Sequence, residues 1–302
     1  MFRIINKYVE IGNLLEEPYI LQYEKQGCYK VFLIEDLKYI KRLGGLTNLN
    51  FLVAHKGQKY VLRFPAHEFE DIINRHHEKE NQRIAAEIGV TVGNVVFTDE
   101  GIKMTPYYDA TANLTRDLIV TPEYLEKVAG VLSTLHSSKR EFPNRFNYWG
   151  EVEKYKIALT EIPSLYVLLE ERLRKLMEGE RQEYVPCHMD SVTGNFIQND
   201  AGQLLLIDWE YSANYLPEWD LAAFILEREL SEEQEQVLLD YYGLPAASKQ
   251  SLDLQKLKSD FLWSLWSLVK ELEDPSFEQY TAKRTERLLE GVEQYYRVYG
   301  NN

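Results

Sequence analysis

HMDSVTGNF (residues 188–196), followed closely by LLLIDWE (residues 204–210), decides how this chain is read. His188, Asp190, Asn195 and Asp208 stand at the spacing a phosphoryl-transfer site needs. An aspartate must meet the acceptor hydroxyl, and an amide oxygen five residues later can turn back onto a magnesium ion. A second carboxylate must then hold that metal against the β- and γ-phosphates. Asp190, Asn195 and Asp208 fit these roles in that order, with ATP and Mg2+ as the cofactors implied. Between the last two, Phe196 and Ile197, the turn Asn199 to Gly202, and Leu204 to Ile207 predict a β-hairpin that brings Asn195 and Asp208 together. An H-x-D element alone is common, and spaced aspartates often only cap helices or close turns. The apolar strand ending at Asp208, at the correct distance, turns the pair into a functional signal. His188 is read as a brace for the loop rather than a proton carrier.

At 302 residues, 45% of them hydrophobic, the chain can bury one large core or two modest ones. A formal net charge of −14 disfavours nucleic acid and suits a cationic substrate. Cys28 and Cys187 lie far apart, and MFRIINKYVE lacks the apolar core of a signal peptide, so a cytoplasmic protein is expected. Apolar runs such as VLRF and LLLI are strand-sized, so no membrane partner is expected. Nothing in the residues sets an oligomeric state.

Working outward, Leu43 to Phe64 alternates strand-like runs with Gly44, Gly45 and the turn KGQK, as in a glycine-containing loop between antiparallel strands. A nucleotide could lie beneath it, making Gly44, Gly45, Thr47 and Asn48 cofactor-binding candidates, although two adjacent glycines ordinarily mean only a tight bend. YVLRF then places Arg63 one hairpin later, and the helix-like INRHHEKENQRIAAEIG offers Glu78 and Glu80 as partners for it. A cation paired with a helix carboxylate while holding phosphates is a kinase arrangement; arginine stands where lysine is commoner, and its fork binds phosphate well. A further hairpin is expected around Thr98 to Gly101, with a hinge at Thr105 to Tyr108. A helix should start at Thr121 with Pro122 at its first position and bury Leu125, Val128, Leu132 and Leu135. Long helices are expected between Glu151 and Glu178 and between Leu252 and Leu272.

After Asp208 the chain is rich in Trp, Tyr and Glu, and FLWSLWSLVKELE places Trp263 and Trp266 on one helical face. Such a pair ordinarily fills a core, yet indoles, phenols and a carboxylate can also cage a quaternary ammonium, which has no N–H to donate.

GGLTN, YVLRFP, INRHHEKEN, HMDSVTGNFI, LLLIDWEYS, EWDLAAF and LWSLWSLVKE, in this order from about Leu43 to Tyr280, resemble the choline and ethanolamine kinases, especially the bacterial choline kinases of the aminoglycoside phosphotransferase-like group. The resemblance implies an α+β, two-lobed, protein-kinase-like fold, with a small antiparallel-sheet N-lobe (1–108, its first 40 residues unexplained by any motif) and a larger, mainly helical C-lobe (109–302). It implies ATP-dependent phosphorylation of choline, with Asp190 as base, Asn195 and Asp208 as magnesium ligands, and Arg63 with Glu78 orienting phosphate. The same resemblance implies that Glu210, Tyr211, Glu227, Trp263, Trp266 and Tyr280 lie near the choline head group and that Asp220 holds the catalytic loop. DWE replaces the DFG of protein kinases and no APE landmark is present, which favours a small-molecule acceptor. The competing readings are a kinase for ethanolamine, thiamine or an aminoglycoside, a metal-dependent hydrolase built on His188, Asp190 and Asp208, and a non-catalytic choline-binding module.

Overall fold

The computed structural model describes residues 5–9, 20–25, 28–33, 37–44, 48–65 and 73–300. The chain divides into two compact units, Met1–Leu114 with Ile197–Tyr211, and Thr115–Phe196 with Ser212–Asn302. Asp208 therefore belongs to the first unit, and Asp190 and Asn195 to the second.

In the first unit, β1 (Ile5–Val9), β2 (Ile20–Lys25) and β3 (Cys28–Leu33) form an antiparallel sheet in the order β1-β3-β2. A second sheet runs β4-β5-β6-β8-β7, from β4 (Lys38–Arg42), β5 (Asn48–His55), β6 (Gln58–Pro65), β7 (Val96–Phe97) and β8 (Lys103–Pro106). The turn joining β5 to β6 is two residues, Lys56 and Gly57, both at positive φ (49° and 81°), which matches the twist of the flanking strands. Period-two alternation in β6 buries Tyr60, Leu62 and Phe64 with Leu37, Val53, Ile102 and Met104. Arg63 is thereby left to the opposite face.

Helix α1 (Arg75–Ile88) starts where the Asn74 side chain accepts the His77 N–H and stops at Gly89, whose left-handed φ of 91° suits glycine. The expected hairpin after Asn195 forms as β10 (Phe196–Gln198) and β11 (Leu204–Leu206), its turn closed by Asn199 Oδ1 accepting from Ala201 N and Gln203 N. Leu206 N donates to Val90 O at 2.8 Å and Trp209 Nε1 to Thr91 Oγ1 at 3.0 Å, which fixes the approach to Asp208.

The second unit is mainly helical. It contains α2 (Pro122–His136), α3 (Tyr148–Ala158), α4 (Ser164–Leu176), α5 (Glu218–Arg228), α6 (Glu232–Tyr242), α7 (Lys249–Glu271) and α8 (Glu278–Tyr299), with β9 (Val185–Cys187) paired antiparallel to β12 (Ala213–Tyr215). α2 begins at Pro122 and buries Leu125, Val128, Leu132 and Leu135 as expected. The single long helix expected between Glu151 and Glu178 is instead α3 and α4. Leu159 leaves helical geometry at ψ 135°, and Pro163 (φ −57°, ψ 138°) has no N–H to continue a helix, so α4 starts afresh at Ser164. Among the described residues, no helix is long and apolar enough to cross a membrane.

Candidate active site

Asp190 follows β9 on a loop held by hydrogen bonds to buried side chains. The buried Asp220 carboxylate, in the first turn of α5, accepts His188 N at 2.7 Å, Met189 N at 2.8 Å and His136 Nε2 at 3.0 Å. Trp219 Nε1 donates to Met189 O at 2.9 Å, and Ser191 Oγ to Asp220 O at 2.6 Å. These bonds hold Met189 at φ 70°, a conformation costly for a non-glycine residue. His188 is fully buried and its Nδ1 accepts Asp190 N at 3.3 Å, the bracing role expected of it.

Asn195, in the short helical turn Thr193–Asn195, donates Nδ2 to Asp190 O and to Asp190 Oδ2, both at 2.8 Å. The amide nitrogen is spent on Asp190, so Oδ1 is the end that can meet a cation. Asp208 also sits at positive φ (67°), and its side chain stays 31% exposed while Arg63 holds Oδ1 at 2.7 Å. Both residues thus offer hard oxygen, the donor type that suits magnesium.

In the first unit a buried ion cluster surrounds Arg63. Arg63 and Lys103 lie directly opposite each other on β6 and β8, a pairing of like charges that needs compensation. Glu78 supplies it, accepting Arg63 Nη2 at 2.5 Å, Lys103 Nζ at 3.1 Å and Arg75 Nη1 at 2.7 Å. Burial pushes the Glu78 carboxyl upward, but Arg63, Lys103 and Arg75 outweigh it and hold the pKa at about 2. Burial, then Arg63, pulls Lys103 below the usual lysine range. Of the two glutamates offered by α1, Glu80 is turned outward and pairs with Arg83 at 2.5 Å.

Glu210 joins the same cluster. Asn48 Nδ2 donates to its Oε2 at 3.0 Å and Arg75 Nη1 lies 3.2 Å away, while burial and then Asp208 raise its pKa. At the loop between β4 and β5, Asn50 Nδ2 grips Gly44 O at 3.0 Å; Gly45 and Thr47 lie outside the described residues.

The aromatic candidates of the second unit come together. Trp263 and Trp266 meet edge to face with centroids 6.0 Å apart, and Trp266 meets Tyr280 at 6.2 Å and Phe277 at 5.4 Å. Both indoles are half-buried and Tyr280 is 38% exposed, whereas Trp219 of the same unit is fully buried. Burial raises the Tyr280 pKa, and the neighbouring Arg284 charge opposes the rise without cancelling it. Glu227 accepts Thr193 N at 3.2 Å and Thr193 Oγ1 at 2.7 Å, two residues before Asn195. Tyr211 is half-buried and, like Glu210, belongs to the first unit.

Residues 40–251 match the profile of the choline/ethanolamine kinase family. The chain belongs to that family. It is 31% identical to the protein LicA of Haemophilus influenzae over 291 residues, 88% of this chain and 85% of that one. Among solved structures, choline kinase LicA from Streptococcus pneumoniae superposes with a TM-score of 0.76 at 32% identity, covering 87% of this chain and 95% of that one. A LicA complex with AMP gives the same TM-score at 31% identity, covering 87% and 94%. Family and fold make the chain a protein-kinase-like, ATP-dependent small-molecule kinase.

Sequence reasoning passed over three members of this kinase's polar machinery. Lys103 is recognisable only once the β6–β8 register is known. Arg75 carries a fainter signal, since an R-x-x-E spacing puts it on the Glu78 face of a helix. His136 closes α2 and reaches Asp220 from a distant part of the chain, with Nδ1 2.8 Å from the Tyr242 hydroxyl.

Proposed function

We propose that this family member transfers the γ-phosphate of ATP to the hydroxyl of choline, giving phosphocholine and ADP. The observation that carries the reading is the half-exposed set of Trp263, Trp266 and Tyr280 in the unit that holds Asp190. Ring faces attract a trimethylammonium that cannot hydrogen-bond, each contact contributing roughly 0.5–2 kcal/mol. A primary ammonium would call for carboxylates placed to accept its protons, so the rings favour choline over ethanolamine. We assign Glu227, Tyr211 and Glu210 to choline recognition as well; Glu210 shares its ion cluster with Asp208.

Asp190 orients the choline hydroxyl and takes its proton as the oxygen attacks the γ-phosphorus in line and ADP leaves. Asn195 fixes Asp190 through Nδ2; Asn195 Oδ1 and the Asp208 carboxylate are the oxygens that would hold Mg2+, which would supply neutralisation of phosphate charge. Arg63, held by Glu78, orients phosphate, and the loop Gly44, Gly45, Thr47 and Asn48 lies along the nucleotide. The AMP-bound relative supports the nucleotide assignment. The reaction belongs in the cytoplasm, where ATP is supplied.

Asp190→Asn tests the central role. It should lower kcat by at least about 100-fold while leaving choline KM within a few-fold, because proton acceptance contributes typically 10²–10⁴. Near-normal turnover in that variant would remove Asp190 from the mechanism.

A further inference from the structure

We infer that the buried Asp260–Arg284 pair sets the charge felt by a cation on Tyr280, and so governs selectivity between a cationic alcohol and its neutral isostere. This deepens the choline reading and rests on it. Asp260 precedes Trp263 by three residues on α7, and Arg284 follows Tyr280 by four on α8, so each charge stands one turn from a ring of the aromatic set. The Arg284 guanidinium carbon lies 4.7 Å from the Tyr280 ring centre. One face of Tyr280 is therefore already occupied by a cation, and a substrate ammonium must use the other face.

Both faces of a phenol ring are electronegative, so a second cation is attracted there only if the first is neutralised. Asp260 does this. It is 2% exposed, accepts Arg284 Nη1 at 2.9 Å, and takes Arg287 Nε at 2.6 Å and Nη2 at 2.5 Å. Arg284 is itself 7% exposed, so solvent does little to screen it. Without Asp260, a substrate cation roughly 9 Å from Arg284, at an effective dielectric of ~20, would bind roughly 20-fold more weakly. An uncharged ligand of the same shape would feel none of this.

The test compares choline with 3,3-dimethylbutan-1-ol, which replaces the quaternary nitrogen by carbon, in the full-length protein and its Asp260→Asn, Arg284→Met and doubly substituted forms. Asp260→Asn should raise the ratio of choline KM to that of the neutral alcohol about 10- to 20-fold, with the rise shrinking at high salt. Arg284→Met should move the ratio the other way, and the double variant should return it to within about threefold of the original. Should Asp260→Asn fail to fold, the opposite shift in Arg284→Met carries the test alone. Equal changes in both KM values, or an unmoved ratio, overturn this inference while choline phosphorylation by the unaltered protein stands. If the unaltered protein does not phosphorylate choline, the choline reading falls and this inference with it.

Discussion

Replacing Asp220 by alanine should unlock the catalytic loop. The carboxylate is fully buried and accepts two backbone N–H groups, from His188 at 2.7 Å and Met189 at 2.8 Å, together with His136 Nε2 at 3.0 Å. Alanine leaves both N–H groups buried and unpaired. At about 1–3 kcal/mol for each, the loss is about 2–6 kcal/mol, a large fraction of the 5–15 kcal/mol that holds a domain folded. A central value of about 4 kcal/mol corresponds to a fall in Tm of roughly 8–16 °C for a unit of this size. Asparagine keeps one acceptor and should lose about half as much. Release of these bonds lets Met189 relax from its positive φ and carries Asp190 away from the acceptor, so kcat should fall by about 100-fold or more. ATP affinity should hardly change, because Arg63, Glu78 and Asp208 belong to the other unit. Urea unfolding followed by tryptophan fluorescence, with steady-state kinetics on the same samples, reads both quantities. A variant with an unchanged urea midpoint and turnover within about threefold would refute the reasoning.

Arg63→Ala strips the guanidinium that compensates Glu78 and Asp208, so it should destabilise by about 3–5 kcal/mol and abolish measurable ATP binding by calorimetry; Arg63→Lys should recover part of both. The Glu78 carboxyl is held at about 2 against an ordinary 4.5, so its contribution of about 3 kcal/mol is complete above pH 4.5 and lost as pH falls toward 2. Urea midpoints across that window should slope downward with acid, and Glu78→Gln should flatten the slope. Trp263→Ala should raise choline KM by about 5-fold or more and ethanolamine KM less, and equal effects would reduce the indole to packing.

Much of this was legible in the residues because the decisive chemistry is local. Asp190 and Asn195 are five residues apart on one loop, and the Asn199–Gly202 turn announces the hairpin leading toward Asp208. Pro122 marks the start of α2 equally well. Pro163 was harder, because apolar spacing continues on both sides of it and only the backbone shows the chain leaving helical geometry at Leu159. The choice between Glu78 and Glu80 depended on which face of α1 meets β6, a matter of packing that periodicity leaves open. Lys103 and Arg75 stayed unseen for the same reason: their significance lies in sharing Glu78 with Arg63, across a strand register and a helix turn. Glu210 closes the recognised stretch LLLIDWE, yet its contacts with Asn48 and Arg75 come from residues far off in the chain.

The most direct measurement is magnesium-dependent ATP consumption with choline, ethanolamine, thiamine and an aminoglycoside supplied in parallel, the product identified by phosphorus NMR. Selective formation of phosphocholine, lost in Asp190→Asn, is the expected result. Preferential phosphorylation of another acceptor would contradict the assignment of Trp263, Trp266 and Tyr280 to a choline cage, and the absence of phosphorylation of any of the four would contradict choline phosphorylation itself.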